Sequence, residues 1–282
     1  MYPTVYLNGR YLPKTEAHLH VSDLAILRGY GVFDYFRYVD GQPVFVKDHI
    51  RRFFRSAELL DLELPVTAEE LTEVVHQLIK RNGEERGGIR FVLTGGYTED
   101  AYSPQTPNLI AMAYPFTPPP PRMYQQGCNV YLHAYERQLP EAKTIDYVEG
   151  IRIQPMLRRE GYDYALYVDR EGYVRESDRS NYLMVKDGEL LSPDDDILRG
   201  ITRHHALRLA EELGIPVAKR PLHRSELAAA DELIICSSTK GVMPITSVDR
   251  RPVADGQPGP ITRRLMAHWP VPIAGNSSVL PS

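Results

Sequence analysis

A run of four prolines, Pro118–Pro121, constrains more than any other feature what this chain can fold into. Proline lacks a backbone N–H and has a fixed φ, so four in succession cannot continue a helix or a central strand. They form a stiff, extended spacer instead. We therefore predict an α+β chain in two domains, with a small N-terminal α/β domain over residues 1–116, a linker over 117–124 and a larger C-terminal mixed-sheet domain over 125–282.

Turn signals and apolar alternation predict the strands. Asn8-Gly9 and Asp40-Gly41 each separate two short apolar stretches, which is typical of β-hairpins. Further strands are expected where β-branched and aromatic residues cluster. These stretches are 88–96, 108–116, 128–135, 163–169, 173–192 and 232–238.

Apolar residues with helical spacing predict four helices. One follows Asp48, which is the expected N-cap. A second covers 67–82 and begins with a capping-box pair, Thr67 and Glu70. The last two are expected at 201–214, where Gly214 ends the helix, and at 225–231.

Composition disfavours several kinds of partner. The net charge is −4 and the charges are interspersed, which does not favour nucleic acid or an anionic membrane surface. No apolar run approaches the ~20 residues of a transmembrane helix, and the N-terminus lacks the pattern of a signal peptide. Cys128 and Cys236 are far apart and belong to no CxxC pair, so neither a disulfide framework nor a metal site is expected. We expect a cytoplasmic protein that acts on small molecules.

Two ionisable residues have sequence surroundings that suit chemistry. Lys143, in AKTIDYVEG, is one of 33 Lys and Arg residues, and by itself it is as well explained as a surface charge. Glu176 lies between two strand-like stretches. It is either a solvated hairpin residue or a buried acid paired with a cation, such as a protonated pyridine nitrogen.

Two further segments suit an anion. Gly200, Ile201 and Thr202 stand at the start of a well-patterned helix, where backbone N–H groups are unpaired and the dipole is positive. Such a start is a phosphate cup or a simple helix cap. The hydroxyls and amides of residues 237–239 follow a strand and suit a phosphate or a carboxylate, although a polar loop would look the same.

The ordered set Lys…Glu-x4-Asn-Tyr…Gly-Ile-Thr-Arg…Ser-Ser-Thr…Pro-Ile resembles the fold-type IV pyridoxal-phosphate enzymes, from about residue 5 to 250. That group includes branched-chain and D-amino-acid aminotransferases, (R)-amine transaminases and aminodeoxychorismate lyase. The resemblance implies pyridoxal 5′-phosphate (PLP) as cofactor, a pseudo-barrel in the larger domain and a homodimer with active sites near its interface. The proline spacer falls where the family joins its two domains.

The resemblance also implies roles for individual residues. Lys143 is the catalytic residue, which holds the cofactor as a Schiff base. Glu176 is the partner of the pyridine nitrogen, and Tyr147 that of the phenolic oxygen. The remaining cofactor contacts are Arg52, Ile201, Thr202 and Ser238 at the phosphate and Thr239 in a loop whose amides face the substrate carboxylate.

This chain departs from the family pattern at three places. Phe33-Asp34 stands where the family has Glu after an aromatic residue. Thr94-Gly95-Gly96 stands where bacterial D-amino-acid aminotransferases carry Thr-Arg-Gly and use the arginine for the substrate carboxylate. Lys240 replaces a small residue in the loop after Thr239.

Other arginines are candidates for the missing cation. We expect Arg28 and Arg90 to bind a substrate carboxylate, with Arg179 as a weaker third, since a guanidinium pairs with a carboxylate in bidentate fashion. Surface or structural ion pairing is the alternative. Phe33 and Lys240 are further candidates for substrate contact.

The expected reaction is a ping-pong transfer of an amino group between a D-amino acid and a 2-keto acid such as 2-oxoglutarate or pyruvate. A branched-chain L-amino-acid aminotransferase, an (R)-amine transaminase and an aminodeoxychorismate lyase stay open as alternatives.

Overall fold

The computed structural model describes residues 1–271. The sequence after Trp269, expected to be loosely held or a peripheral strap, lies almost wholly outside the described residues. Contacts within the chain define two units. The first comprises Met1–Thr117 and Ala142–Tyr147, and the second comprises Pro118–Glu141 and the residues from Val148 onward.

The first unit contains a six-stranded antiparallel sheet with strand order β2-β1-β6-β5-β3-β4. Both predicted hairpins are present, and the residues at their turns have positive φ, as two-residue hairpin turns require. The strands are β1 (Thr4–Leu7), β2 (Arg10–Pro13), β3 (Gly31–Val39), β4 (Gln42–Pro43), β5 (Gly87–Thr94) and β6 (Leu109–Tyr114).

Three helices accompany this sheet: α1 (Leu24–Arg28), α2 (Val46–Glu58) and α3 (Ala68–Asn82). The capping box of α3 is formed as predicted, with Thr67 and Glu70 each accepting the other's backbone N–H. The predicted N-cap of α2 is wrong. Helix α2 begins one turn earlier, after Phe45 with a φ of 52°, so Asp48 lies inside the first turn.

Strand β3 has two different faces because its side chains alternate. Val32 and Phe36 are fully buried and belong to one apolar cluster with residues of α2 and α3, such as Phe53 and Leu78. On the opposite face, Phe33 lies near Arg90 of the neighbouring strand β5. The sheet therefore has a core face and a face that carries polar and aromatic side chains.

Residues 142–147 belong to the first unit, although the sequence placed them in the C-terminal domain. Backbone hydrogen bonds attach them to the start of β3. The N–H of Phe33 donates to the carbonyl of Lys143 (2.9 Å), and the N–H of Ile145 donates to the carbonyl of Gly31 (3.0 Å). No local pattern announces this pairing, because its partners are far apart in the sequence.

The second unit contains a nine-stranded mixed sheet with strand order β12-β11-β10-β13-β14-β7-β8-β9, and β15 pairs with β14. The pairs β11–β12, β14–β7 and β7–β8 are parallel. The strands are β7 (Cys128–Ala134), β8 (Tyr164–Val168), β9 (Val174–Ser177), β10 (Asn181–Lys186), β11 (Glu189–Ser192), β12 (Val217–Lys219), β13 (Glu232–Ser237), β14 (Gly241–Val248) and β15 (Arg251–Pro252).

The helices of the second unit are mostly short. The predicted helix at 225–231 is a 3-10 helix over Arg224–Ala229. The helix after residue 200 ends at Glu212 with Leu213 as its C-cap, and Gly214 follows with a positive φ, as expected for the residue that stops it. The α-helices are α4 (Arg122–Gln125), α5 (Val148–Arg152), α6 (Gln154–Glu160), α7 (Ile201–Glu212) and α8 (Pro260–Ala267). Among residues 1–271, no helix is long and apolar enough to cross a membrane.

The capping box of α3 predicts a measurable difference between two threonines of one helix. We expect Thr67→Ala to lower the free energy of unfolding by about 1 kcal/mol, because it removes the side-chain acceptor for the N–H of Glu70. Thr72→Ala is the matched control, since the Thr72 hydroxyl only back-bonds to the carbonyl of Ala68. Urea unfolding followed by circular dichroism compares the two, and an equal loss in both would contradict the assigned cap.

Candidate functional site

Lys143 and Tyr147 meet above the ring of Phe33. The N–H of Lys143 donates to the hydroxyl of Ser56 in α2 (3.1 Å), which fixes the backbone beneath the side chain. The Lys143 Nζ lies 4.5 Å from the centroid of the Phe33 ring and 3.5 Å from the Tyr147 hydroxyl. Tyr147 packs edge-on against the same ring at 5.4 Å.

Arg52 is held on the opposite face of β3 by a buried carboxylate. Asp34 is fully buried and accepts hydrogen bonds from Nε and Nη2 of Arg52 (2.9 and 2.8 Å) and pairs with Nδ1 of His49 (2.8 Å). Burial alone would raise the pKa of Asp34, but Arg52 and His49 hold it well below its usual range. The fork of Arg52 is therefore fixed in orientation by a charged partner.

Arg90 lies among three aromatic rings. Its Cζ atom is 5.1 Å from the ring centroid of Phe33, 5.8 Å from that of Tyr35 and 5.9 Å from that of Tyr114. Its side chain is exposed and makes no salt bridge within residues 1–271. Cation–π contacts hold a guanidinium in place without neutralising its charge, so Arg90 retains its capacity to bind an anion.

Gly95 cannot carry the arginine found in bacterial D-amino-acid aminotransferases. A Cβ atom there would lie 2.8 Å from Tyr30 and 2.9 Å from Leu24, closer than any real contact. Leu24 is the first residue of helix α1, and Tyr30 lies two residues after its last residue, Arg28. The side chain of Arg28 is exposed. Buried Asp23 caps α1 and also accepts a hydrogen bond from the Thr94 hydroxyl (2.7 Å), so the Arg28 segment is tied to the end of β5.

In the second unit, both carboxylate oxygens of Glu176 are engaged. Oε1 accepts a hydrogen bond from Arg137 (2.9 Å), and Oε2 accepts one from the backbone N–H of Leu198 (3.2 Å). Glu176 is thus a buried acid with a cationic neighbour and not a solvated hairpin residue. The same acid and arginine line a pocket of about 440 Å³.

The Asn of the Glu-x4-Asn motif holds the start of helix α7. Asn181 donates from Nδ2 to the carbonyl of Leu198 (2.8 Å), so Glu176 and Asn181 together engage both backbone groups of that residue. A Cβ atom on Gly200 would lie 1.9 Å from Oδ1 of Asn181. Only glycine therefore fits at this position.

Helix α7 begins with open amides. Gly200 is its N-cap and supplies no side-chain cap, and its first turn contains no acidic residue. Ile201 and Thr202 are buried at the first two positions. Arg203, by contrast, bonds to Ser192 and Asp194 and fixes the helix to the preceding loop. Uncapped N–H groups at the positive end of a helix dipole suit a phosphate.

The turn between β13 and β14 carries the remaining candidates. The hydroxyls of Ser237 and Thr239 lie 3.1 Å apart, and Ser238 stands between them. Lys240 is buried, and its ammonium group donates to Ser180 inside the unit, which argues against the expected substrate contact. Arg179 is exposed and pairs with Asp178 (3.2 Å), so part of its hydrogen-bonding capacity is already used within the chain.

The family model for amino-transferase class IV matches residues 31–248. The chain is a class IV aminotransferase. It is 34% identical to the D-alanine aminotransferase of Staphylococcus epidermidis, over 93% of this chain and 94% of the relative. It is also 32% identical, over 93% of each, to a Methanocaldococcus jannaschii protein provisionally described as a branched-chain-amino-acid aminotransferase.

Solved structures confirm the predicted fold. The branched-chain amino acid aminotransferase of Escherichia coli has a TM-score of 0.89 at 28% identity, with 94% of this chain and 93% of that chain covered. The chain therefore has the fold-type IV architecture, with a smaller sheet domain and a curled sheet in the larger one. Another branched-chain amino acid aminotransferase, solved with pyridoxamine 5′-phosphate, has the same TM-score at 27% identity. Class IV aminotransferases use PLP, and this is the cofactor of the present enzyme.

Each unit by itself carries groups of the kind that this cofactor needs. The first unit contributes the amine of Lys143, which lies beside the hydroxyl of Tyr147. It also contributes the guanidinium of Arg52, which Asp34 orients. The second offers a buried carboxylate for a pyridine nitrogen and a helix start with no cap of its own. Gly200 brings no side chain of its own to that helix start, and its packing against Asn181 leaves no room for one.

Sequence reasoning missed three contributors. Arg137, which pairs with Glu176, had no signal beyond its place shortly before Lys143. Ser56, four residues after Arg52, accepts a hydrogen bond from the Lys143 backbone N–H. His49, three residues before Arg52, helps to hold Asp34.

The contact between Gly200 and Asn181 generates a prediction about cofactor affinity. We expect Gly200→Ala to weaken PLP binding by about tenfold or more, because the added methyl displaces Asn181 and the start of α7. Gly214→Ala, just after the other end of the same helix, meets no atom within 4 Å, and although the φ of 72° makes the variant less stable, its PLP affinity should be unchanged. Titration of the apoenzymes with PLP, followed by absorbance, measures both. Equal affinities for the two variants would show that α7 does not bind the phosphate.

Proposed function

We propose that this class IV aminotransferase transfers an amino group between a D-amino acid and a 2-keto acid by a ping-pong mechanism. One observation carries the proposal. Arg90, a cation with no acidic partner among the described residues, contacts the same phenylalanine ring as the Lys143 amine. A substrate carboxylate bound by Arg90 would thus lie on the same face of the sheet as the amine.

Lys143 is the proposed catalytic residue. PLP, when bound, supplies an electron sink that makes the α-proton of the substrate acidic. With the cofactor bound, the Lys143 Nζ would be the base that takes this proton from the substrate and the acid that gives it back. The Tyr147 hydroxyl, 3.5 Å away, restricts the position of this amine and would hold the phenolic oxygen of the cofactor.

Other side chains hold the cofactor in this proposal. Glu176 would accept the hydrogen of the pyridine nitrogen, and its bonds to Arg137 and Leu198 fix its orientation. The phosphate is bound by four residues that the sequence nominated, and Thr239 offers its amide nearby. These four are Arg52, Ile201, Thr202 and Ser238.

The preference for D-amino acids rests on where the carboxylate is bound. Phe33 contacts both Tyr147 and Arg90, so Arg90 lies near Tyr147. Tyr147 is the residue assigned to the phenolic oxygen of the cofactor. Arg28 is the second proposed donor. The segment that bears it fills the space at Gly95, where the usual arginine would stand. Arg179 is a weaker third because Asp178 already binds it.

We also propose that the enzyme is a homodimer with active sites near its interface, which size-exclusion chromatography with light scattering tests. A cytoplasmic location stays a prediction. A branched-chain L-amino-acid aminotransferase is the second candidate, because both kinds of relative share about a third of the residues of this chain.

The assignment of Lys143 predicts loss of the covalent link to the cofactor. Borohydride reduction should fix PLP to the wild-type chain, and Lys143→Ala should abolish this link because no amine remains to form it. Lys186→Ala, which removes a half-exposed lysine paired with Asp187 and Asp231, is the control and should keep the link. Mass spectrometry of the reduced chains measures both. A link that persists in Lys143→Ala would refute the assignment.

The carboxylate site predicts how substrates are distinguished. We expect Arg90→Ala to weaken binding of D-alanine and D-glutamate by about 10- to 100-fold, the range for loss of a charge-assisted pair. Arg28→Ala should have a smaller effect in the same direction. Arg86→Ala, which removes an exposed arginine just before β5, is the control and should have none.

Half-reactions followed by cofactor absorbance give these affinities and also test the alternatives. Faster conversion with L-leucine than with any D-amino acid would favour the branched-chain enzyme. Release of pyruvate without a keto-acid acceptor would indicate a lyase, and a preference for 1-phenylethylamine would indicate an amine transaminase.

A further inference from the structure

Lys240 is a buried lysine for which the proposed reaction has no use. Its side chain is 4% exposed, and Nζ donates to the Ser180 hydroxyl (2.9 Å) and lies 4.4 Å from the centroid of the Tyr164 ring. Its backbone is held as well. The Tyr124 hydroxyl donates to its carbonyl (2.9 Å), and its N–H donates to the carbonyl of Ser237 (3.1 Å).

The charge of this ammonium group is not neutralised by a direct ion pair. Within residues 1–271, no carboxylate forms a salt bridge with Lys240. The ionisable groups around it are Asp178 and Arg179 from the β9–β10 loop, Tyr164 from β8, Cys128 from β7 and Cys236 from β13. Burying a cation in this way is costly, and burial lowers the pKa of Lys240 to about 8.

The two partners of the Lys240–Ser180 bond lie in the β9–β10 and β13–β14 turns of the second unit, and both turns adjoin proposed cofactor contacts. Ser180 lies between Glu176 and Asn181, which engage Leu198 before helix α7. Lys240 directly follows Ser238 and Thr239. The lysine side chain is thus a cross-link between the loop 176–181 and the loop 237–240.

We propose that Lys240 is a positioning residue, which joins these two loops and holds their cofactor-contacting groups in register. The inference rests on the proposed roles of Glu176 and Ser238. As the pH rises through 8 the charge is lost and the bond to Ser180 becomes a weaker, neutral one. Cofactor affinity should therefore fall from about pH 7 to about pH 9.

Titration of apoenzymes with PLP between about pH 6.5 and 9.5 tests this. We expect Lys240→Met and Ser180→Ala each to weaken PLP binding at neutral pH, by about tenfold for the lysine and less for the serine. The double variant should lose little more than Lys240→Met alone, since one bond connects both residues. In Lys240→Met the fall in affinity across pH 8 should be reduced.

Three controls separate positioning from general damage. Ser180→Thr keeps the hydroxyl and should keep the affinity, Lys186→Met removes a half-exposed lysine of the same unit, and kcat at saturating PLP should recover in Ser180→Ala. Unchanged affinity in both Lys240→Met and Ser180→Ala would overturn the proposal. If Lys240→Met does not fold, the comparison of Ser180→Ala with Ser180→Thr decides. If the wild type itself binds no PLP, the proposed function fails instead.

Discussion

The alternation of side chains along β3 is the constraint on which the first unit depends. Phe33 and Asp34 are neighbours in sequence, yet they point to opposite faces of the sheet. Phe33 supports the amine of Lys143 and the cation of Arg90, whereas Asp34 binds Arg52 from the other side. The backbone from Gly31 to Phe33 also pairs with the segment that carries Lys143. A shift of one residue in the register of this strand would exchange the two faces and dismantle every one of these contacts.

The sequence predicted those features whose causes are local. Hairpin turns at Asn8-Gly9 and Asp40-Gly41 and the capping box at Thr67 depend on residues a few positions apart, and the structure has them. The start of α2 was predicted wrongly, because Phe45 adopts a left-handed conformation that its residue type does not signal. The assignment of residues 142–147 to the other domain was wrong for a different reason. Its hydrogen bonds connect positions far apart in the chain, which periodicity does not detect.

The candidate site residues show the same difference between features with local causes and features that depend on distant contacts. The motif as an ordered set pointed to the family and its cofactor, and the comparisons confirm both. The physical partners of those residues were not predictable. Arg137 at Glu176 and Ser180 at Lys240 are contacts between separate loops. Lys240 was expected near the substrate because it stands in a site loop. The direction of the Lys240 side chain depends on its contacts with Tyr164 and Ser180 inside the unit. No sequence pattern in the loop indicates those contacts.

The engagement of both backbone groups of Leu198 has a consequence for how such an enzyme can change over time. Glu176 and Asn181 bond the same residue, and Gly200 packs against Asn181, so the three positions are in contact or share a partner. The effects of replacing them are therefore not expected to add independently. Laboratory libraries that aim at new substrates should therefore vary these three positions together or leave them untouched. Diversity belongs at the exposed side chains of Arg28 and Arg90 themselves, and the Asp23–Thr94 bond beside them should be kept.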